Sequence, residues 1–182
     1  MAPPTTVDTT TTLRLAKGTA LLLSSLGSGI ILSLSTFVVP RLLESPTPLM
    51  LRQWVRSFRL GAATMPLTAA VSAATYFWLG LRSPGGPGGA LGLDHLFRSR
   101  AYLAAGALTA GIVPYTIVFM SGTNTKLMAL EERVGQAAAA EAVVGVEEER
   151  GAKGLLDWWG VLNLGRAGMM VAGVVCGLVA TL

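Results

Sequence analysis

The sequence predicts an all-α membrane protein, a bundle of four transmembrane helices with both termini on the same side. Hydrophobic residues make up 52% of the 182-residue chain and charged residues only 13%, against roughly 25% charged residues in a soluble domain. The mean hydropathy is correspondingly positive, at +0.58. Four apolar segments, 18–39, 60–81, 101–120 and 158–182, each have the length of about 20 residues that crosses a bilayer as a helix.

Composition also restricts the chemistry. The chain has one histidine, His95, and one cysteine, Cys176. A disulfide within the chain, a zinc cluster and a multi-histidine iron or copper centre all need more ligands than these. We therefore expect no metal site. The net charge of +4 lies in short loops, where it indicates membrane topology and lipid contact and not nucleic-acid binding.

The chain begins with a tail, residues 1–13, that is rich in threonine and lacks an apolar face, so we expect disorder there. The rest, 14–182, is predicted to form one membrane domain. Arg14 and Lys17 precede the first span, 18–39. Its apolar run is longer than the apolar core of a signal peptide, which predicts a retained anchor.

Small residues follow two stripes of the first span. One stripe has the four-residue spacing that lets membrane helices approach closely, and it consists of Ser25, Gly29 and Ser33. The neighbouring stripe either adds hydroxyls to a pocket or bonds to its own backbone, and it consists of Ser24, Ser28 and Ser35. Pro40 is expected to end the helix.

The connection 41–59 contains four arginines together with Trp54 and Phe58. Arg52, Arg56 and Arg59 share one helical face, which predicts a short amphipathic helix in the membrane interface, with its basic face solvated or on lipid phosphates. The second span, 60–81, carries a stripe of hydroxyl residues, Thr64, Thr68, Ser72 and Thr75.

Two connections, 82–100 and 128–157, are predicted to be loops on either side of the third span, 101–120. Pro114 should kink that span near mid-membrane. Leu127–Val134 is able to prolong its helix into water. The acidic run Glu147–Arg150 is interpreted as a solvated loop.

The fourth span places a cation inside the membrane. If Trp158 marks the water interface, Arg166 lies about 12 Å deeper. Trp159, Asn163, Arg166 and Met170 follow one another at three- or four-residue spacing and share one face. A guanidinium at that depth costs about 2.5–3.5 kcal/mol. Either its long stem carries it back to the headgroups, or it faces the bundle interior where an anion forms or binds.

Two motifs stand out in the last two spans. The third span and its continuation read P-x-T-x₃-M-x₂-T-N-x₂-L, with Pro114, Thr116, Met120, Thr123, Asn124 and Leu127. The fourth reads W-x₃-N-x₂-R, with Trp159, Asn163 and Arg166. Together they resemble the anthrone oxygenase family, small four-helix membrane proteins of fungal polyketide pathways. The resemblance covers roughly 14–182, apart from the Gly/Pro-rich residues 83–89 and the Ala/Glu-rich residues 136–150.

The resemblance implies oxidation of a polyketide anthrone to the anthraquinone with O₂ as co-substrate, in secondary-metabolite biosynthesis. The anthrone anion is electron-rich enough to react with O₂ directly, so no further cofactor is expected. Arg166, with the amides of Asn163 and Asn124, is predicted to stabilise that anion. The predicted substrate-binding residues are Tyr115, Thr116, Met120, Thr123, Trp158 and Trp159. Three candidates for the proton acceptor are left: a water, Tyr115 and Asp157.

A non-enzymatic alternative is a membrane scaffold or small-molecule carrier of a biosynthetic pathway, which would use the same polar stripes to join helices or to pass a solute. The enzyme predicts a cavity bounded by the third and fourth spans and wide enough for three fused rings. Expected partners are the aromatic substrate and the lipid bilayer, with a second copy or pathway enzymes as further candidates. We expect a multi-pass protein of the endomembranes.

Overall fold

Helices account for almost all of the part of the chain that the structure describes. The structure is a computed structural model and describes residues 9–82, 93–139 and 145–182. The helices are α1 (Thr9–Ser33), α2 (Val39–Leu43), α3 (Thr47–Arg82), α4 (Leu93–Tyr115), α5 (Ser121–Ala139) and α6 (Val146–Thr181). Predictions on residues 1–8, 83–92 and 140–144 lie outside the described residues.

Two π-helical segments join shorter helices into long ones. Leu34–Val38 connects α1 to α2, and Thr116–Met120 connects α4 to α5. The described chain therefore has four long helices. They form a ring, because α1 packs against α3 and α6, and α4 also packs against α3 and α6.

Three buried clusters follow one another along the bundle. One end is filled by Ala20, Tyr76, Leu79, Tyr102, Ala105 and Ala180. The middle contains Ile31, Ala69, Ile112, Ala167 and Met170. The other end is the largest and includes Val39, Leu51, Trp54, Met120, Leu127, Leu156 and Trp159. Leu13 and Ala16 pack on the first cluster, so the start of α1 and the end of α6 lie at the same end of the bundle.

Three of the described helices are long and apolar enough to cross a membrane: Thr9–Leu43, Leu96–Ala137 and Val146–Thr181. These agree with the prediction of a membrane protein. The helix α3 is not among them, because its hydroxyl residues dilute its apolar ones. Thr64, Thr68, Ser72 and Thr75 each donate to the carbonyl four residues earlier, which satisfies these hydroxyls within the helix.

Several helix boundaries differ from the prediction. The first helix does not end at Pro40, because the π-helical segment precedes it and the proline occupies the first turn of α2. The connection 41–59 does not form a separate short helix, since α3 begins at Thr47, continues to Arg82 and buries Trp54. The last helix begins at Val146, twelve positions before Trp158. Glu147, Glu148 and Glu149 form its first turn, where the helix dipole favours negative charge.

The predicted contact stripe of the first helix is also wrong. Ser25 and Gly29 are exposed, and a methyl group added to Gly29 would meet no atom within 4 Å. The buried stripe is the other one. Ser24 is bonded to the Tyr76 hydroxyl at 2.8 Å, and Ser28 is buried. Both stripes carry small residues at helical spacing, so only the packing of the bundle distinguishes them.

Gly177 offers a stability test of this packing. A methyl group at Gly177 would lie 2.6 Å from the Tyr76 ring, whose hydroxyl is fixed by Ser24. We expect Gly177→Ala to lower the free energy of unfolding by about 1–3 kcal/mol through overpacking. Thermal unfolding in detergent measures this. The matched control is Gly29→Ala, which should be neutral or stabilising by up to about 1 kcal/mol, and equal stabilities of the two variants would contradict the described packing.

Candidate active site

An apolar cavity of about 190 Å³ lies beside Arg166. Its wall is supplied mostly by the first two long helices: Leu34, Val38, Val39, Leu42, Trp54, Ser57, Phe58, Gly61, Ala62, Met65 and Pro66. The remaining lining residues are Ile112, Val113, Thr116, Ile117, Trp159 and Arg166. The cavity was expected between the third and fourth spans, but the fourth contributes only Trp159 and Arg166.

Arg166 is the one charged residue in this lining, and a buried asparagine holds it. The Nη2 of Arg166 donates to the Oδ1 of Asn163 at 2.5 Å. The Nδ2 of Asn163 donates to the Ile31 carbonyl and to the Ser35 hydroxyl, both at 2.8 Å. Asn163 is fully buried, so its side chain fixes the guanidinium against α1 and its π-helical extension.

This network changes the expected role of Asn163. An amide that stabilises an oxyanion must have an N–H free to donate, and both donations from Nδ2 go to protein atoms. Asn163 therefore positions Arg166 and does not face the cavity as a donor. Ser35 in turn donates to the Gly160 carbonyl at 2.9 Å, which ties the network to α6.

No carboxylate balances the charge of Arg166 within the described residues. The ion pairs there involve Arg41, Arg133, Arg150 and Lys153, all of them outside this site. The Nε of Arg166 is buried without a hydrogen-bond partner. A half-buried cation with one neutral partner, next to an apolar cavity, is an arrangement that favours an anionic ligand. The guanidinium thus lies in the cavity wall, bonded to a buried residue of the bundle.

Both π-helical segments meet at this cavity. Leu34 and Val38 come from the first, and Thr116 and Ile117 from the second. A π-helical turn widens the helix and shifts the side chains that follow, and such turns are frequent at functional sites. Thr116 donates its hydroxyl to the Ile112 carbonyl at 2.7 Å, so towards the cavity its oxygen is left as an acceptor.

Aromatic rings close the cavity on one side. Trp54 stacks on Phe58 with ring centroids 5.1 Å apart and meets Trp159 edge-on at 5.7 Å. The Trp159 indole donates to the Oδ1 of Asn124 at 2.8 Å. Asn124 thus holds the Trp159 ring in place and lies apart from the contact between Asn163 and Arg166. Flat apolar walls of this kind suit a planar aromatic ligand.

The structure brings together only part of the predicted site. Three predicted residues line the cavity: Arg166, Trp159 and Thr116. Two more lie outside the lining and hydrogen-bond it, Asn163 to Arg166 and Asn124 to Trp159. Four other predicted residues lie outside the lining: Tyr115, Met120, Thr123 and Trp158. Met120 and Thr123 are packed in the interior, and Trp158 is 53% exposed. Tyr115 donates its hydroxyl to the Leu162 carbonyl at 3.0 Å.

Sequence reasoning missed the largest wall of the cavity. Its residues on α3 recur at three- and four-residue spacing from Trp54 to Pro66, which is one helical face. That signal is in the sequence, but the predicted boundary at residue 60 divided it. Within the described ranges, no group of three or more His, Cys, Asp and Glu side chains is placed to hold a metal ion.

Comparison with known proteins identifies relatives of the chain. A family model described as anthrone oxygenase matches residues 54–176. An anthrone oxygenase of Emericella nidulans is 37% identical over 117 residues, which are 63% of this chain and 56% of that protein. An anthrone oxygenase of Paecilomyces divaricatus is 30% identical over 174 residues, covering 89% of this chain and 92% of the relative.

A third relative is a noranthrone monooxygenase of Aspergillus flavus. It is 30% identical over 164 residues, covering 87% of this chain and 70% of the relative. The match to the Emericella nidulans protein thus spans little more than half of that protein's length, whereas the other two matches span most of theirs. No solved structure matches the chain.

Proposed function

The chain belongs to the anthrone oxygenase family, and from this premise we propose that it oxidises a polyketide anthrone to the anthraquinone in its apolar cavity, with Arg166 as the anion-stabilising group. The relatives' names support a monooxygenase-type oxidoreductase of secondary-metabolite biosynthesis. The observation that carries the proposal is an arginine in the cavity wall that has no carboxylate partner among the described residues.

Arg166 would act where charge develops. An anthrone has a carbonyl in its central ring and a CH₂ opposite to it, flanked by two aromatic rings. Loss of a CH₂ proton moves negative charge to the carbonyl oxygen. A guanidinium beside that oxygen, in an apolar cavity, stabilises the anion more strongly than water does because the local dielectric is low. The aromatic wall formed by Trp54, Phe58 and Trp159 holds the rings flat.

The oxidation then balances without another reductant. The carbon that lost its proton forms a bond to O₂, and protonation gives a hydroperoxide. Loss of the second hydrogen from that carbon breaks the O–O bond and leaves a ketone and water. One oxygen atom enters the product and the other leaves as water, so the substrate supplies all four electrons that O₂ accepts. We propose O₂ as co-substrate and no resident cofactor, in keeping with a chain that has one histidine and one cysteine.

The first proton needs an acceptor, and we propose water. Tyr115 uses its hydroxyl to donate to the Leu162 carbonyl, and Asp157 is exposed and absent from the cavity lining. These positions leave no carboxylate or phenol of the described residues in contact with the cavity. Water is a weak base and contributes little to the acceleration. We therefore assign most of it to Arg166, which lowers the energy of the anthrone anion.

We also propose that α3 crosses the membrane with the other three long helices, which gives four spans and both termini on one side. Its adjacency to α1 and α4 along the bundle and its internally bonded hydroxyls support this. The large exposed side chains include Leu22, Phe37, Leu67, Ile117, Val118 and Val175. We propose that these side chains contact the lipid of the endomembranes. A second copy of the chain or pathway enzymes would bind to the same surface.

The proposal is tested with purified protein in detergent, treated with a chelator and supplied with an anthrone under O₂. We expect quinone absorbance to rise well above the uncatalysed rate, with one O₂ consumed per quinone. Anthrones oxidise in air, so the matched control is the Arg166→Met variant in the same detergent. A rate equal to that control, or one restored only by added metal, would contradict the proposal. A pure scaffold or carrier would give no acceleration at all.

A further inference from the structure

A basic groove adjoins the cavity at its outer end. It is lined by Phe37, Val38, Arg41, Leu42, Ser45, Gln53, Arg56 and Ser57, and its volume is about 570 Å³. Val38, Leu42 and Ser57 also line the cavity. The groove and the cavity therefore share a wall, and a ligand that lies in one reaches the edge of the other.

The groove presents polar groups from two helices. Arg41 projects from α2 on one side. Gln53, Arg56 and Ser57 form one face of α3 on the other side, at spacings of three and four. Ser57 donates to the Gln53 carbonyl at 3.0 Å, so its oxygen remains available as an acceptor.

Both arginines of the groove are available to a ligand. Arg41 has Glu44 at 3.4 Å, but the two side chains are 79% and 67% exposed, and an ion pair between such groups contributes little. Arg56 is exposed and has no carboxylate within 4 Å among the described residues. A guanidinium binds a carboxylate through two parallel hydrogen bonds, which is the strongest contact that such a group offers to an organic anion.

We infer that this groove is the entrance of the active site and that Arg56, with Arg41, binds an acidic substituent of the aromatic substrate, such as an aryl carboxylate. The inference rests on the proposed function and adds a substrate class to it. A substrate is favoured over a lipid headgroup because the groove continues into the cavity. An acid held by Arg56 places its own aromatic rings at the shared wall, beside Val38 and Leu42.

Binding is measured first, in vesicles of phosphatidylcholine, by quenching of tryptophan fluorescence. The probes are an anthraquinone carboxylic acid and its methyl ester, which has the same rings without the charge. We expect the wild type to prefer the acid, and Arg56→Gln to reduce the preference for acid over ester about tenfold, the loss of one charge-assisted contact. The matched control is Arg52→Gln, on the same helix but outside the groove, which should keep the wild-type preference.

A preference that is equal in Arg56→Gln and the wild type would overturn the inference, as would an equal loss in Arg52→Gln. Vesicles containing phosphatidylserine distinguish the lipid source. Their surface potential acts on both proteins alike, so the difference between the wild type and Arg56→Gln should persist. If phosphatidylserine abolishes that difference, the groove is a headgroup site and the inference is wrong.

Turnover separates this inference from the proposed function. With an anthrone carboxylic acid and its ester as substrates, Arg56→Gln should raise KM for the acid relative to the ester while the ratio of the two kcat values stays constant. If the wild type binds the acid through Arg56 but oxidises neither compound, the proposed function fails and the groove stands. If both compounds are oxidised and Arg56→Gln changes neither ratio, the groove fails and the proposed function stands.

Discussion

Arg166→Met is expected to lower kcat by about 10²–10³-fold, because it removes the donor that stabilises the anthrone anion. The loss should come without a comparable loss of stability. Methionine removes an unpaired cation that costs about 2.5–3.5 kcal/mol within the membrane, and it leaves the Oδ1 of Asn163 without its donor, at about 1–3 kcal/mol. These two terms oppose one another. Quinone formation and thermal unfolding in detergent measure the two effects separately.

Two further variants sharpen this test. Arg166→Lys keeps the charge but lacks the planar fork that bonds Asn163 and the ligand together, so its rate should also fall. Arg52→Met, an exposed arginine on α3, is the control for charge and should retain the wild-type rate. Full activity in Arg166→Met would contradict the proposal that Arg166 stabilises the anion. A variant that neither inserts nor folds would show that Arg166 is structural.

Asn163→Leu is expected to lower kcat by about 10–100-fold, since Arg166 loses the acceptor that fixes it and a small displacement of a catalytic group is costly. Leucine also deletes the bonds to Ile31 and Ser35 from a fully buried position. Stability should therefore fall by about 1–3 kcal/mol. The rate is measured on protein that remains monodisperse below its unfolding temperature.

A double variant distinguishes positioning from a structural role. If Asn163 acts only by holding Arg166, Asn163→Leu combined with Arg166→Met should be no slower than Arg166→Met alone. A merely structural Asn163 would instead slow the reaction by a similar factor in both backgrounds. Additive losses would therefore contradict the assignment of Asn163 as a positioning residue.

The sequence predicted which residues share the polar face of α6, because helical geometry alone decides it. Trp159, Asn163, Arg166 and Met170 share a face by spacing, and three of these four are at most 3% exposed in the bundle, with Arg166 half-buried beside them. The sequence left Arg166 with two directions, towards the headgroups or towards the bundle interior, and the structure places it in the cavity wall. Depth and face are local properties, so they were available without any knowledge of the neighbouring helices.

The partners of that face were not predictable in the same way. Asn163 was expected to act on the ligand with Asn124, but it bonds Ile31 and Ser35, more than 120 positions away in the chain. Asn124 bonds Trp159 instead. Which of several amides reaches a given group depends on the distances between helices. The residue spacing within one helix carries no information about those distances. The same holds for Ser24 and Ser25. Their two stripes have similar residues and spacing, and only the packing of the bundle shows that the stripe of Ser24 is buried.

The sequence by itself determined that this chain is a helical membrane protein with an arginine on a polar face inside its last apolar helix, because hydropathy and the 3.6-residue helical turn are properties of each segment alone. Only the tertiary structure decided that the cavity opens chiefly between the first two long helices, that two π-helical turns shape it and that Asn163 holds the cation. These features arise where side chains from distant segments compete for the same space, and that competition is settled by packing across the bundle.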